Sequence, residues 1–243
     1  MQESRAEFPP VAGANIAGMV YGRRVGGDFY HFLRATPQRV VFGLLDVAGS
    51  CEANRDIVAA ARRSFQDAGK RVFADTEINE ADAMMELCME LNAALRRAAH
   101  GICTCAAFLG CYDEALGTVC YANAGHTPGL LCDATGVTEL PATGLPLGLF
   151  SASTYEAPYA ALQPGASLLL VSRGVVEAAH KKEEFGLHRV KQHLQRVTPS
   201  NADQVTAVVL KGVQQFIRTA AHNDLTALAL VRSAGRQKLA AEA

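Results

Sequence analysis

The sequence predicts an α+β fold in which helices cover antiparallel sheets. Three observations carry that expectation. Strand-like segments come in runs, whereas a doubly wound parallel sheet would alternate them with helices. Two strongly helical segments follow one another between residues 52 and 99. No internal repeat or low-complexity linker divides the chain, so residues 1–243 read as one domain with a core over 11–232 and short tails.

The elements follow in order. Residues 39–45, RVVFGLL, form a continuous apolar run, as expected of a strand buried on both faces. The run ends at the polar turn Asp46-Val47-Ala48-Gly49. A helix is expected over 52–68, stopped by Gly69. A second is expected over 80–99, where Met84, Leu87, Cys88, Leu91, Leu95 and Ala98 build one apolar stripe that Gly101 terminates. Strands are expected over 102–112, 118–123 and 129–133, separated by the turn-like segments 113–117 and 125–128. A strand at 167–172 follows the turn Gln163-Pro164-Gly165. Val205, Val208, Val209, Val213 and Phe216 mark a helix over 202–219, and a last strand covers 225–231. Residues 233–243 read as a frayed tail.

Composition narrows the function classes. With 49% hydrophobic and 19% charged residues and a net charge of −1, the chain has the profile of an ordinary soluble protein. It lacks the basic excess of a nucleic-acid surface. Nothing resembles a signal peptide, and no apolar run of about 18 residues could span a bilayer, which points to the cytoplasm and away from a membrane. The seven Cys are odd in number and sit mostly among apolar neighbours. Cys103-x-Cys105 has the wrong spacing for a zinc knuckle or a redox pair; on a strand the two would share a face, as buried structural Cys do.

The chemistry-bearing residues stand at strand ends. Asp28 lies in Val25-Gly26-Gly27-Asp28-Phe29-Tyr30, and Asp46 closes the buried strand. Arg173, followed by Gly174, and Asn223, followed by Asp224, occupy matching positions later in the chain. Carboxylates beside glycines suit a hard divalent cation, because they supply oxygen ligands while small neighbours admit backbone carbonyls and water. For any one position taken alone, Asp and Gly simply ending a strand is the simpler reading.

The stretches VGGDFY, LLDVAGS, YANAGHTPGLL, GLPLGL, LQPGASLLLVSRGVVEA, EEFGLHRV and NDLTALALV, with Asn92 in ELNAAL, resemble the bacterial stage II sporulation phosphatases. These belong to the metal-dependent protein phosphatase (PPM) superfamily. The resemblance implies a sandwich of two antiparallel sheets flanked by helices. It implies two Mn²⁺ or Mg²⁺ ions that activate a water against a phosphoserine or phosphothreonine. By resemblance Asp28 contacts one metal, Asp46 bridges both and the Val47 carbonyl lies nearby. Gly27, Gly49, His126, Gly174 and Asp224 are accessory candidates, His126 either as a general acid or as a structural donor.

The pattern also departs from the family. Arg173 stands where T-D-G-V-x-E carries a ligand Asp, and Asn223 where D-D-x-T does. His31 and Cys51 replace an Asp and a Gly. Arg173 reverses a charge in the metal's place, which predicts weak or absent metal binding, with the guanidinium either holding Asp28 and Asp46 together or extending into solvent. Asp224 would need a bulge to take the place Asn223 leaves. Ser50 and Ser172 have no base partner in the pattern, so a Ser-His-Asp hydrolase is unsupported. Two readings stay open: a binding domain that engages a phosphoprotein or regulatory partner without hydrolysis, and an active phosphatase whose substrate is a regulatory protein such as an anti-sigma-factor antagonist. A homodimer is compatible with either.

Overall fold

The computed structural model describes residues 2–5, 8, 10–22, 27–49, 54–197, 201–218 and 223–234. The chain opens with β1 (Gln2–Arg5), β2 (Ala14–Gly22), β3 (Asp28–Arg34) and β4 (Arg39–Val47), then α1 (Arg55–Val72) and α2 (Glu80–Ala98). Strands β5 (Cys105–Asp113), β6 (Thr118–Ala124), β7 (Gly129–Asp133), β8 (Gly136–Leu140), β9 (Tyr159–Ala161) and β10 (Ser167–Val171) follow. The last third holds α3 (Arg173–Val176), the hairpin β11 (Ala179–His180) and β12 (Glu183–Glu184), α4 (Gly186–Gln195), α5 (Ala202–Ile217) and β13 (Leu225–Arg232).

Two main sheets carry the fold. One has the order β1-β2-β13-β10-β7-β8 and the other β3-β4-β5-β6-β9. Neighbouring strands in both are antiparallel. Alternation of side chains along each strand divides the apolar residues into three layers. Val40, Phe42, Leu44, Phe108, Leu168, Leu170, Leu228 and Leu230 meet between the sheets. Val41, Leu45, Leu109 and Ala122 pack outward against Phe65, Met84, Leu87 and Leu91 of α1 and α2. Leu169, Val171, Ala227 and Ala229 pack outward against Val190, Val205, Val209 and Val213 of α4 and α5. The result is the expected sandwich of two antiparallel sheets flanked by helices.

Several boundaries differ from the sequence expectation. Helix α1 runs through Gly69 to Val72. Gly69 serves packing there: a Cβ on it would meet Leu33 Cδ2 at 2.7 Å. Residues 102–104 precede β5, so Cys103 is not a strand partner of Cys105. Strands β1, β2, β3, β8 and β9, the β11–β12 hairpin and helices α3 and α4 had no expected bounds. In α2, the Asn79 side chain accepts from the backbone N–H of Ala81 at 3.0 Å and fixes the first turn. The helix ends where His100 turns left-handed and the Gly101 N–H reaches back to the Arg96 carbonyl. The expected start of the first helix at 52, the end of the last at 219, and most of the tail (235–243) lie outside the described residues. No helix among those described is long and apolar enough to cross a membrane.

Candidate active-site cleft

Asp28 and Asp46 are brought together by register. Strands β3 and β4 pair so that Asp28 lies directly opposite Asp46, and both belong to the positions that face the second sheet. Two like charges so placed repel. The Asp28 carboxyl is accordingly pushed up to about 6, first by burial, then by Asp46, with a smaller contribution from Asp224. Hydrogen bonds from Ser172 and Thr226 act in the opposite direction. Thr226 Oγ1 donates to Asp28 Oδ2 at 3.0 Å, and the Thr226 N–H donates to Ser172 Oγ at 3.1 Å. Both hydroxyl residues are fully buried. Sequence reasoning did not assign them this role; the signal is the Thr of NDLT and the Ser before Arg173.

Arg173 opens α3, one residue after β10, with Ser172 between them. Its Nε lies 3.8 Å from Asp46 Oδ2 and 3.8 Å from Glu177 Oε1, and the side chain is 60% exposed. The Asp46 carboxyl is raised by burial and lowered by this guanidinium. Arg173 therefore neither spans both aspartates nor turns away from them: it reaches Asp46 and Glu177, while Asp28 is held by hydroxyls.

The glycines mark close approaches. A Cβ on Gly27 would sit 2.0 Å from the Val47 carbonyl oxygen, and one on Gly174 would sit 2.2 Å from the Asp224 carbonyl oxygen. Gly49 follows β4 with a φ of 109°. Asp224 is buried just before β13, its Oδ1 2.2 Å from where a Cβ on Gly22 would stand. Asn223 is exposed and its Cβ lies 3.3 Å from the Cβ position of Gly174. His31 points to the α1 side of β3, with its ring edge-on to Phe65 at 5.2 Å, away from the carboxylates. Val25, Gly26, Ser50 and Cys51 lie outside the described residues. Among those described, no group of three His, Cys, Asp or Glu gathers in a metal-binding arrangement.

A cleft of about 160 Å³ adjoins Asp46, lined among others by Thr104, Gly125, His126, Thr127 and Arg173. His126 is 6% exposed, and burial lowers its pKa to about 4. Asn123, buried on β6, accepts from the His126 N–H at 2.8 Å and so fixes the turn after that strand. On the far side, Asn92 of α2 accepts from the Gly148 N–H at 2.7 Å and donates to the Phe150 carbonyl at 3.0 Å. The GLPLGL segment is thereby tied to the helix.

Comparison with known proteins agrees with this architecture. A sequence model of the family "Stage II sporulation protein E (SpoIIE)" matches residues 36–233. Protein IcfG of Synechocystis sp. is 26% identical over 128 residues, 52% of this chain and 20% of IcfG. The solved RsbU and RsbW domains of Rv1364c from Mycobacterium tuberculosis superpose with a TM-score of 0.76 at 21% identity, covering 93% of this chain and 62% of that one. The SiaA-PP2C domain of Pseudomonas aeruginosa gives 0.72 at 19% identity over 87% and 83% of the two chains. The phosphatase domain of SpoIIE from Bacillus subtilis gives 0.67 at 16% over 95% and 98%. The chain thus spans a fifth of IcfG and under two thirds of the Rv1364c structure. With the family model matched over most of its length and the two-sheet sandwich in place, the chain belongs to the stage II sporulation protein E (SpoIIE) family.

Proposed function

We propose that this domain acts in bacterial signalling of the partner-switching kind by binding a regulatory protein, with metal-dependent hydrolysis weak or absent. The observation that carries this reading is the Arg173 guanidinium 3.8 Å from Asp46. Asp46 is the residue from which the family would bridge two cations. At an effective dielectric of about 20, a unit charge about 4 Å away contributes about 4 kcal/mol per unit charge. Replacing a ligand carboxylate by a guanidinium therefore exchanges attraction for repulsion, and Asn223 offers a neutral oxygen at best. The donors present do not fit a two-metal centre, so no catalytic step is assigned to Mn²⁺ or Mg²⁺ here. Similarity to the RsbU and RsbW domains of Rv1364c supports a regulatory protein as partner.

Aryl phosphate hydrolysis in millimolar Mn²⁺ tests the reading, with Asp46→Asn as contamination control and Arg173→Asp plus Asn223→Asp as attempted restoration. No turnover by the natural chain, with turnover appearing in the double variant, is the expected result. Turnover by the natural chain that Asp46→Asn abolishes would refute it.

One observation favours the second reading, an active Mn²⁺- or Mg²⁺-dependent phosphatase. Asp224 is buried close enough to Asp28 to raise its pKa, so a third carboxylate stands near the pair despite the loss at Asn223. The same assay decides between the two.

A further inference from the structure

Helix α2 leaves one face open to solvent. On one flank Arg71 of α1 donates to Glu86 at 2.8 Å and also to Glu90. On the other, Asn92 and Arg96 donate to the carbonyls of Phe150 and Gly148 at 3.0 and 3.3 Å, which sets the half-exposed Phe150 beside the helix. Between the flanks Asp82, Glu86, Met89, Ala93 and Arg96 recur at spacings of four, three, four and three, the alternation of a coiled-coil seam. Met89, at the centre of this stripe, is 59% exposed. Met85 and Ala93 beside it are partly exposed.

Charge divides the stripe in two. Its first half carries Asp82, Glu86 and Glu90 against Arg71, three carboxylates to one guanidinium, so the acidic excess is two. Its second half carries Arg96 and Arg97, and none of the ion pairs among the described residues includes either. The helix dipole accounts for acids in a first turn and bases in a last one, but its influence fades within that turn. Glu86 and Glu90 stand in the second and third turns. A face with an acidic half, an apolar centre and a basic half is complementary to itself when two copies lie antiparallel across a two-fold axis. With the axis level with Leu91, Met89 of each copy faces the small Ala93 of the other, a knob against a hole. Glu86 then faces Arg96, and Met85 faces the apolar stem of Arg97. An unrelated partner would require no such internal symmetry.

We propose that the outer face of α2 is the interface of a homodimer, in which two copies of this chain pair antiparallel along the stripe from Asp82 to Arg97. The cleft at Asp46 and Arg173 contributes nothing to this pairing, so it holds whether or not the domain hydrolyses phosphate.

Sedimentation equilibrium of the full chain from about 5 to about 500 μM tests this, a range suited to the weak association of a small interface. A monomer–dimer equilibrium is expected. Met89→Glu sets two like charges at the centre of the seam and should leave only monomer. Asp82→Lys with Glu86→Lys makes the stripe basic throughout, and Arg96→Glu with Arg97→Glu makes it acidic throughout. Each of these double variants should be monomeric alone, and the two mixed should form a heterodimer. If a variant fails to fold, the methionine methyl signals of the natural chain decide: those of Met85 and Met89 should shift with concentration while that of the buried Met84 does not. A natural chain that stays monomeric throughout, a dimer that survives Met89→Glu, folded reversed variants that fail to pair when mixed, or methyl shifts that spare Met89 would each overturn the proposal.

Discussion

Thr226 donates its hydroxyl to Asp28 across the gap between the two sheets, at 3.0 Å. The bond falls on the carboxylate that has no ion-pair partner among the described residues, while Asp46, opposite, has Arg173. The two aspartates are thus stabilised by different chemistry, one by buried hydroxyls and one by an exposed cation.

Thr226→Val removes one of the two hydroxyl donors and leaves the burial of Asp28 unchanged. The loss should be about 1–3 kcal/mol at pH 8, where Asp28 is ionised, and smaller at pH 4. Urea unfolding at the two pH values measures it, and an equal loss at both would mean that the bond to the charged form is not what Thr226 supplies.

Asp28 and His126 give opposite pH slopes. The Asp28 pKa is raised from 3.8 to about 6. Its protonated form is favoured in the fold, so its contribution falls as pH rises from about 4 to about 6, by roughly 3 kcal/mol in all. The His126 pKa is lowered from 6.5 to about 4. Its contribution is complete above pH 6.5 and is lost as pH falls toward 4, by a similar amount. Over that window the two contributions oppose each other in the natural chain. Asp28→Asn should uncover stability rising with pH, and His126→Gln stability falling with pH. Thermal unfolding from pH 4 to 7.5 reads both signs.

Arg173→Ala should change stability by less than about 1 kcal/mol, because the side chain is largely exposed and its ion pairs are long. On the proposed reading its effect falls on cation binding. Millimolar Mn²⁺ should leave the melting temperature of the natural chain unchanged and raise that of Arg173→Asp with Asn223→Asp by several degrees. A rise in the natural chain of the same size would contradict the proposed role of Arg173.

Gly27→Ala and Gly174→Ala should each cost about 3 kcal/mol or prevent folding, since the added methyl would stand 2.0 and 2.2 Å from backbone oxygens. Gly13→Ala is the comparison: nothing lies within 4 Å, and only its φ of 65° is strained, which should cost about 1 kcal/mol. Circular dichroism melting curves of the three variants test the ordering.

Legibility in the sequence followed the kind of signal each element carries. The long apolar run of β4 and the stripe of α2 are visible because a single period dominates them. Strand β2, ANIAGMVYG, is interrupted by a glycine whose Cβ would meet Tyr30 at 2.8 Å, so its packing is set by a partner that no local pattern reveals. Helix α4 did carry a signal, with Leu187, Val190 and Leu194 at helical spacing behind Gly186. Asp28, Asp46 and Arg173 stood out because charge at a strand end is unusual. Ser172 and Thr226 did not, since a hydroxyl in or just after a strand is ordinary until the carboxylate it faces, far along the chain, is brought beside it.

The three apolar layers lie along the middles of the strands, and the carboxylates, Arg173 and Asn223 lie at their ends. Substitution at those ends leaves the leucines and valines between the sheets undisturbed. The architecture therefore separates what the domain is shaped like from what it does: a lineage could alter the chemistry of the cleft step by step while every intermediate still folds.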